Sequence, residues 1–203
     1  MQNTSKNSID QKYDMIKKNH TNTLLKAISE NKADLLIIPF LLEITKIPDI
    51  FTSSSCAGRI MLLSTDENES KKVSHFHKRF HRVVTFDEIK SALNEDTSGE
   101  IWLKAEPFIF HFGAKDYIKA KEILDFCQQF GLKKSGIIAS NEGKFIIEVT
   151  YTQFMALPVK KDNLILVDDF YLNLIVSKAN TKMELNFKRL KYFENAFLNN
   201  FLK

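Results

Sequence analysis

Glycine is scarce in this chain, at 6 of 203 residues, and cysteine is scarcer, at 2. No strand-like stretch opens into Gly-x-Gly-x-x-Gly, and no Gly-x-x-x-x-Gly-Lys-Ser/Thr occurs. A Rossmann dinucleotide fold and a P-loop are therefore both set aside. The two cysteines, Cys56 and Cys127, form no disulfide framework and no paired zinc-ligand spacing, which suits a reducing cytoplasm. Proline occurs 4 times, and Pro39 interrupts the longest apolar stretch, Leu35 to Leu42. No run reaches the roughly 18 apolar residues of a membrane span. Met1 to His20 lacks both the apolar core of a signal peptide and the arginine-rich look of a transit peptide.

What is present is ordinary for a globular protein: 44% hydrophobic and 27% charged residues, with a net charge of +4. A chain of this length buries enough surface to fold without disulfides or metal. Residues 1–22 are expected to be a weakly ordered N-terminal segment and 23–203 a single compact domain. The charge is unevenly spread. Lys71 to Arg82 holds five Lys/Arg, three histidines and no carboxylate, a strip that attracts a polyanion or is simply a solvated loop.

Apolar periodicity predicts helices over Thr23–Lys32, Asp34–Ile47 and Tyr117–Phe130, the last stopped by Gly131. Thr85-Phe86-Asp87-Glu88 has capping-box spacing and should start a short helix to Leu93. Strands are expected at Ile50–Thr52, Arg59–Leu63, Ile101–Leu103, Phe108–Phe112, Pro158–Val159 and Leu164–Val167. A hairpin is expected around Asn141-Glu142-Gly143. The C-terminus turns helical from Phe170. Hairpins and clustered helices, without βαβ alternation, predict an α+β fold with a mostly antiparallel or mixed sheet, flanking helices and no Rossmann topology.

Four stretches bear on chemistry. Ser53-Ser54-Ser55-Cys56-Ala57-Gly58-Arg59 reads as a tight polar turn whose amides and hydroxyls can converge on an anion, with Arg59 as a planar fork. A serine-rich bend without function reads the same way. Cys56 is either a nucleophile or a small buried thiol. In the basic strip, His77 and His81 are four apart and could share a helix face toward a metal. A third ligand is lacking, and interleaved Phe, Arg and His equally suit unpaired bases. Trp102 lies on one strand and His111 on the next, where alternation sets His111 opposite Phe108, Phe110 and Phe112. Ser135 and Asn180 carry no role from composition alone.

Taken in order, these stretches resemble the tRNA wybutosine-synthesizing methyltransferase family of archaea and eukaryotes. The resemblance rests on Ser54-Ser55-Cys56-Ala57-Gly58-Arg59, on Gly99 to Trp102, and on Pro107 to His111. It continues through Gly131 with Ser135-Gly136-Ile137, and through Ala179-Asn180 with Lys182 and Asn186. Ala57, Phe80 and Leu132 depart from the usual pattern. The resemblance implies methyl transfer from S-adenosylmethionine to N4 of 7-aminocarboxypropyl-demethylwyosine at position 37 of tRNA(Phe), beside the anticodon. Ser53, Ser54, Ser55, Arg59, Trp102, Ser135 and Asn180 are the candidate cofactor contacts, with the Ser53–Arg59 stretch gripping either the anionic part of the cofactor or the acidic tail of the substrate base. His111 and Cys56 are the candidates for a chemical role. Lys78, Arg79, His81 and Arg82 are the candidate tRNA contacts. No metal and no membrane are expected, the protein should be cytoplasmic, and the oligomeric state stays open. The alternatives are a non-catalytic RNA-binding module, which has no reason to bind a sulfonium nucleoside, and a metal-dependent hydrolase using His75, His77 and His81.

Overall fold

The computed structural model describes residues 2–66, 68 and 73–202. Lys71 and Lys72, at the head of the basic strip, lie outside them. The element order is α1 (Gln2–Ser29), α2 (Ile38–Lys46), β1 (Ile50–Cys56), β2 (Arg59–Thr65), β3 (His75–Phe80), α3 (Phe86–Leu93), β4 (Glu100–Glu106) and β5 (Ile109–Ala114). It continues with α4 (Tyr117–Gln129), β6 (Gly136–Asn141), β7 (Lys144–Thr150), β8 (Met155–Lys161), β9 (Leu164–Ile165) and α5 (Asp169–Phe201). All strand pairs among the described residues are antiparallel. They form a four-stranded sheet A, ordered β1-β5-β7-β6, and a five-stranded sheet B, ordered β3-β2-β4-β8-β9. This is the expected α+β class, and it is not a Rossmann arrangement.

The chain divides into two compact units. The first draws on the chain up to Ala57, on Phe108–Thr152 and on the chain from Leu190; the second comprises Gly58–Pro107 and Gln153–Arg189. Sheet A belongs to the first and sheet B to the second.

The first unit is built around phenylalanine. Alternation along β5 sends Phe110 and Phe112 to one face of sheet A, where both are fully buried together with Phe108. Phe112 stacks on Phe197 of α5 at 4.7 Å between ring centroids, and Phe40 of α2 meets Phe110 edge-on at 5.2 Å. Each such ring stabilises the fold by about 1.5–3 kcal/mol through burial. On the opposite face, the Phe51 ring lies over Gly113, where a Cβ would fall 1.9 Å from the ring. Tyr13 and Ile146 join Phe51 there in a small buried cluster.

That cluster explains α1. The expected weakly ordered start, followed by a helix only from Thr23, is instead one helix from Gln2 to Ser29. Its polar composition hides a tertiary anchor. Tyr13 is buried and donates its hydroxyl hydrogen to Pro48 O at 3.1 Å, Lys17 donates to the carbonyls of Ile47 and Pro48, and Asp10 pairs with Lys115 at 2.8 Å. Packing overrides weak intrinsic propensity here. Pro39 causes no break in α2, because it falls in the first turn, where its missing N–H has no helical partner to lose.

In the second unit, Ile60, Leu62, Ile101, Leu103, Ala105 and Val159 line one face of sheet B. They pack with Ile89, Ala92 and Leu93 of α3 and with Leu172, Ile175, Val176, Ala179 and Met183 of α5. The capping box forms as expected: Thr85 Oγ1 accepts from Glu88 N, and the Glu88 carboxylate accepts from Thr85 N at 2.8 Å. Lys160 is only 2% exposed, yet it is not orphaned. Its ammonium donates to Leu93 O and Glu95 O at 2.8 and 2.5 Å, satisfying carbonyls that α3 leaves open at its end. The expected C-terminal segments are one helix, α5, whose early apolar residues serve this core while Phe193 and Phe197 serve the first unit's.

Candidate methyl-transfer site

The serine-rich segment is a strand rather than a turn. Serines 53 to 55 lie within β1, and only Ala57 and Gly58, the latter with φ of 103°, separate β1 from β2. The two strands do not form a hairpin, since β1 is in sheet A and β2 in sheet B. The register along β1 runs Thr52↔Phe112 and then Ser55↔Phe110, so Ser53 and Ser54 together face His111. This is a β-bulge, which bends a strand and re-aims its side chains. Ser53 and Ser54 are exposed, and Ser53 Oγ makes a long 3.4 Å bond to His111 O. Thr52 Oγ1 and Ser55 Oγ lie 3.0 Å apart.

His111 sits where alternation placed it, on the face opposite the phenylalanines and 20% exposed at its side chain. Its direct partner on β7 is Glu148, whose carboxylate lies 2.9 Å from His111 Nε2. Glu148 is not legible as a partner in the sequence. Its one signal was a lone carboxylate in the apolar run Phe145 to Val149, and pairing of β5 with β7 could not be read from local pattern. A carboxylate on Nε2 fixes that nitrogen as the protonated one and leaves Nδ1 as the acceptor.

Cys56 ends β1 opposite Ile109 and is half-buried. Cys127 is fully buried in α4, and burial pushes its thiol up to about 12, so it is a core residue. Ser135 is buried beside that thiol and precedes Gly136, which pairs with Glu148.

The remaining candidates lie in the second unit. Arg59 opens β2 and donates from Nε and Nη2 to one oxygen of Glu106, at 2.9 and 2.7 Å, across paired positions of β2 and β4. In the first unit, the Ala57 amide donates to Asp34 Oδ2 at 2.8 Å. Two donors expected to grip an anion therefore already face carboxylates, and both carboxylates were missed. Trp102 on β4 donates from Nε1 to Glu100 at 3.2 Å, and the Lys104 ammonium lies 5.5 Å from its ring centroid. The ring thus already has a cation–π partner in Lys104.

Asn180 uses both ends of its amide on one backbone residue. Oδ1 accepts from Val84 N at 2.9 Å and Nδ2 donates to Val84 O at 2.7 Å. That geometry holds the segment after β3, and it contrasts with the cofactor contact expected of this residue.

Within the basic strip His75–Phe80 is a strand and His81 lies just beyond it, so the helix-face pairing of His77 and His81 does not arise. Two of the expected tRNA contacts are engaged in ion pairs: Lys78 with Glu95 at 2.7 Å and Arg82 with Glu88 at 2.6 Å. The bond from Arg82 holds the Glu88 carboxyl down to about 2. His77 Nε2 lies 2.9 Å from Ala92 O, and His81 Nδ1 lies 3.1 Å from Gly58 O. Arg79 makes no ion pair among the described residues.

Residues 10–199 match the family model described as Methyltransferase TYW3. The chain belongs to this methyltransferase family. A Thermococcus kodakarensis relative, named tRNA(Phe) 7-((3-amino-3-carboxypropyl)-4-demethylwyosine(37)-N(4))-methyltransferase 2, is 33% identical over 175 residues, covering 86% of this chain and 82% of the relative. A Thermococcus sibiricus relative with the corresponding name is 28% identical over 186 residues, 92% of this chain and 94% of its own. The solved structure of the PH1069 protein from Pyrococcus horikoshii superposes with a TM-score of 0.86 at 30% identity, covering 92% of this chain and 96% of that one. Family membership brings a methyl donor with it, as the sequence resemblance implied. Among the described residues no helix is long and apolar enough to cross a membrane.

Proposed function

We propose that this chain methylates N4 of 7-aminocarboxypropyl-demethylwyosine at position 37 of tRNA(Phe), working in the cytoplasm with S-adenosylmethionine as donor. The observation that carries the reading is the relatives' shared name, set on a match that runs through Ser53 to Arg59, Trp102 and His111. The donor set fits the cofactor's chemistry. Taken by itself, the second unit offers the Arg59 guanidinium for a carboxylate and the Trp102 face for an adenine. The first unit offers the Ser53 and Ser54 hydroxyls, opposite His111, for polar groups of the cofactor. Ser135, buried next to the Gly136–Glu148 pair, is assigned to shaping this region.

When bound, S-adenosylmethionine supplies a methyl group on a positively charged sulfur, and alignment with the acceptor nitrogen does most of the work in such displacements. His111 Nδ1 takes the proton that the nitrogen loses, and Glu148 steadies the imidazolium that results. Cys56 is the second group assigned a chemical role. Cys56→Ser keeps its size and separates a need for sulfur from a need for packing. Of the strip, Arg79 is assigned to tRNA phosphate, with Lys78, His81 and Arg82 contributing only where RNA competes with their present partners.

Mass spectrometry of tRNA nucleosides after incubation with cofactor and the undermethylated precursor tests the proposal. A gain of one methyl on that base supports it, and no gain with correctly folded protein ends it. Arg59→Ala should weaken cofactor binding in calorimetry; unchanged affinity removes the anion-grip role.

A further inference from the structure

The face of sheet B turned away from its apolar core carries aromatic and cationic side chains in ordered rows. Directly paired residues on neighbouring strands point to the same side. Leu63 pairs with Phe76 on β3 and Trp102 on β4, and Trp102 pairs with Pro158 on β8. The next row is Arg79, Met61, Lys104 and Ala156, and the one after holds Arg59 and Glu106. An aromatic row therefore runs beside a cationic one.

A bulge creates this order. The register of β3 moves from Leu62↔Lys78 to Leu63↔Phe76, leaving His77 as the extra residue. Phe76 and Arg79 consequently share the outer face, although three positions apart. Lys78 and Phe80 turn the other way, where Lys78 meets Glu95 and Phe80 packs on the apolar core. Phe76 is 44% exposed, and two guanidinium groups lie on its ring, Arg59 at 4.9 Å and Arg79 at 5.1 Å. Arg79 and Lys104 make no ion pair among the described residues, whereas Glu106 is neutralised by Arg59. Phe76 and Trp102 lie two strands apart, about 10 Å at ordinary strand spacing, with Leu63 between them.

We propose that this face is a platform for unpaired RNA, on which a nucleotide beside the modified base stacks on Phe76 while Arg79 and Lys104 hold the flanking phosphates. The proposal rests on the tRNA reading above and assigns it a surface. Aromatic faces accept any unpaired base, and a paired base is closed to them. Cations without carboxylate partners favour a polyanion over an apolar protein surface.

The test uses the full chain without cofactor. Two labelled RNAs are titrated by fluorescence anisotropy: a stem-loop with an unpaired loop, and a duplex of the same length. Phe76→Leu keeps apolar contact but removes the ring, and should weaken stem-loop binding about tenfold without changing the salt dependence. Phe76→Tyr should restore binding, and the duplex should be indifferent to both. Arg79→Gln and Lys104→Gln should each flatten the slope of log affinity against log salt by about 0.7. Wild-type affinity in Phe76→Leu, equal losses for stem-loop and duplex, or failure of Phe76→Tyr to restore binding would overturn the platform. Should Phe76→Leu melt early, unchanged salt slopes in the two lysine and arginine variants would overturn it instead. Because binding is read without the donor, a protein that shows this pattern but transfers no methyl loses the enzymatic proposal and keeps the surface.

Discussion

His111 and Glu148 are held 2.9 Å apart by their direct pairing on β5 and β7, with the Ser53–Ser54 bulge on the strand at the other side. Rigid paired strands hold such a pair more precisely than loops would. His111→Ala should lower kcat about 10²–10⁴-fold, the usual range for a general base, with cofactor affinity unchanged by calorimetry. Glu148→Gln keeps a hydrogen-bond acceptor and removes the charge, so kcat should fall by less while KM holds. Wild-type turnover in His111→Ala would remove the base role.

Asn180→Ala separates two roles. Loss of both bonds to Val84 leaves backbone groups unpaired, and should destabilise the protein by about 1–3 kcal/mol. That appears as a lower midpoint in urea, with cofactor affinity intact. Weakened cofactor binding at unchanged stability would restore the contact role that the sequence resemblance implies.

Gly113→Ala drives a methyl group into the Phe51 ring, which is buried and has nowhere to retreat. Overpacking of this kind costs about 1–3 kcal/mol. Thermal melting checks it, and Gly113→Ala combined with Phe51→Leu should recover part of the loss.

Glu194 supplies a pH dependence. Burial pushes its carboxyl up to about 7, opposed by Lys191, and one of its oxygens is buried with no hydrogen bond. Between the unfolded value of about 4.3 and the folded one, the native state binds more protons, so stability falls as pH rises through that window. Glu194→Gln should flatten this slope and raise the melting temperature at pH 8 by about 2–4 °C. A pH profile identical to wild type would show that another group governs it.

Local chemistry was legible and pairing was not. The capping box at Thr85, the helix stop at Gly131, the hairpin at Asn141 to Gly143 and the inward phenylalanines of β5 all follow from residues close together in sequence. Small hydroxyl residues favour turns, so local chemistry alone makes the serine segment look like one. Its bulge exists only in register with β5. Glu106, Glu148 and Asp34, which engage Arg59, His111 and the Ala57 amide, were invisible for the same reason: each partner arrives from a distant segment. Helix α1 was underestimated because Tyr13 and Lys17 find their partners around Ile47 and Pro48.

Among the described residues strand β3 borders sheet B, with one side of its backbone unpaired in the strand order. Such borders invite another chain to add a strand, and proteins discourage this with charge and bulges. The extra residue at His77 and the positive side chain of Arg79 are features of the kind that discourage such pairing. Neutralising Arg79 would lower the solubility of concentrated protein even in the complete absence of nucleic acid.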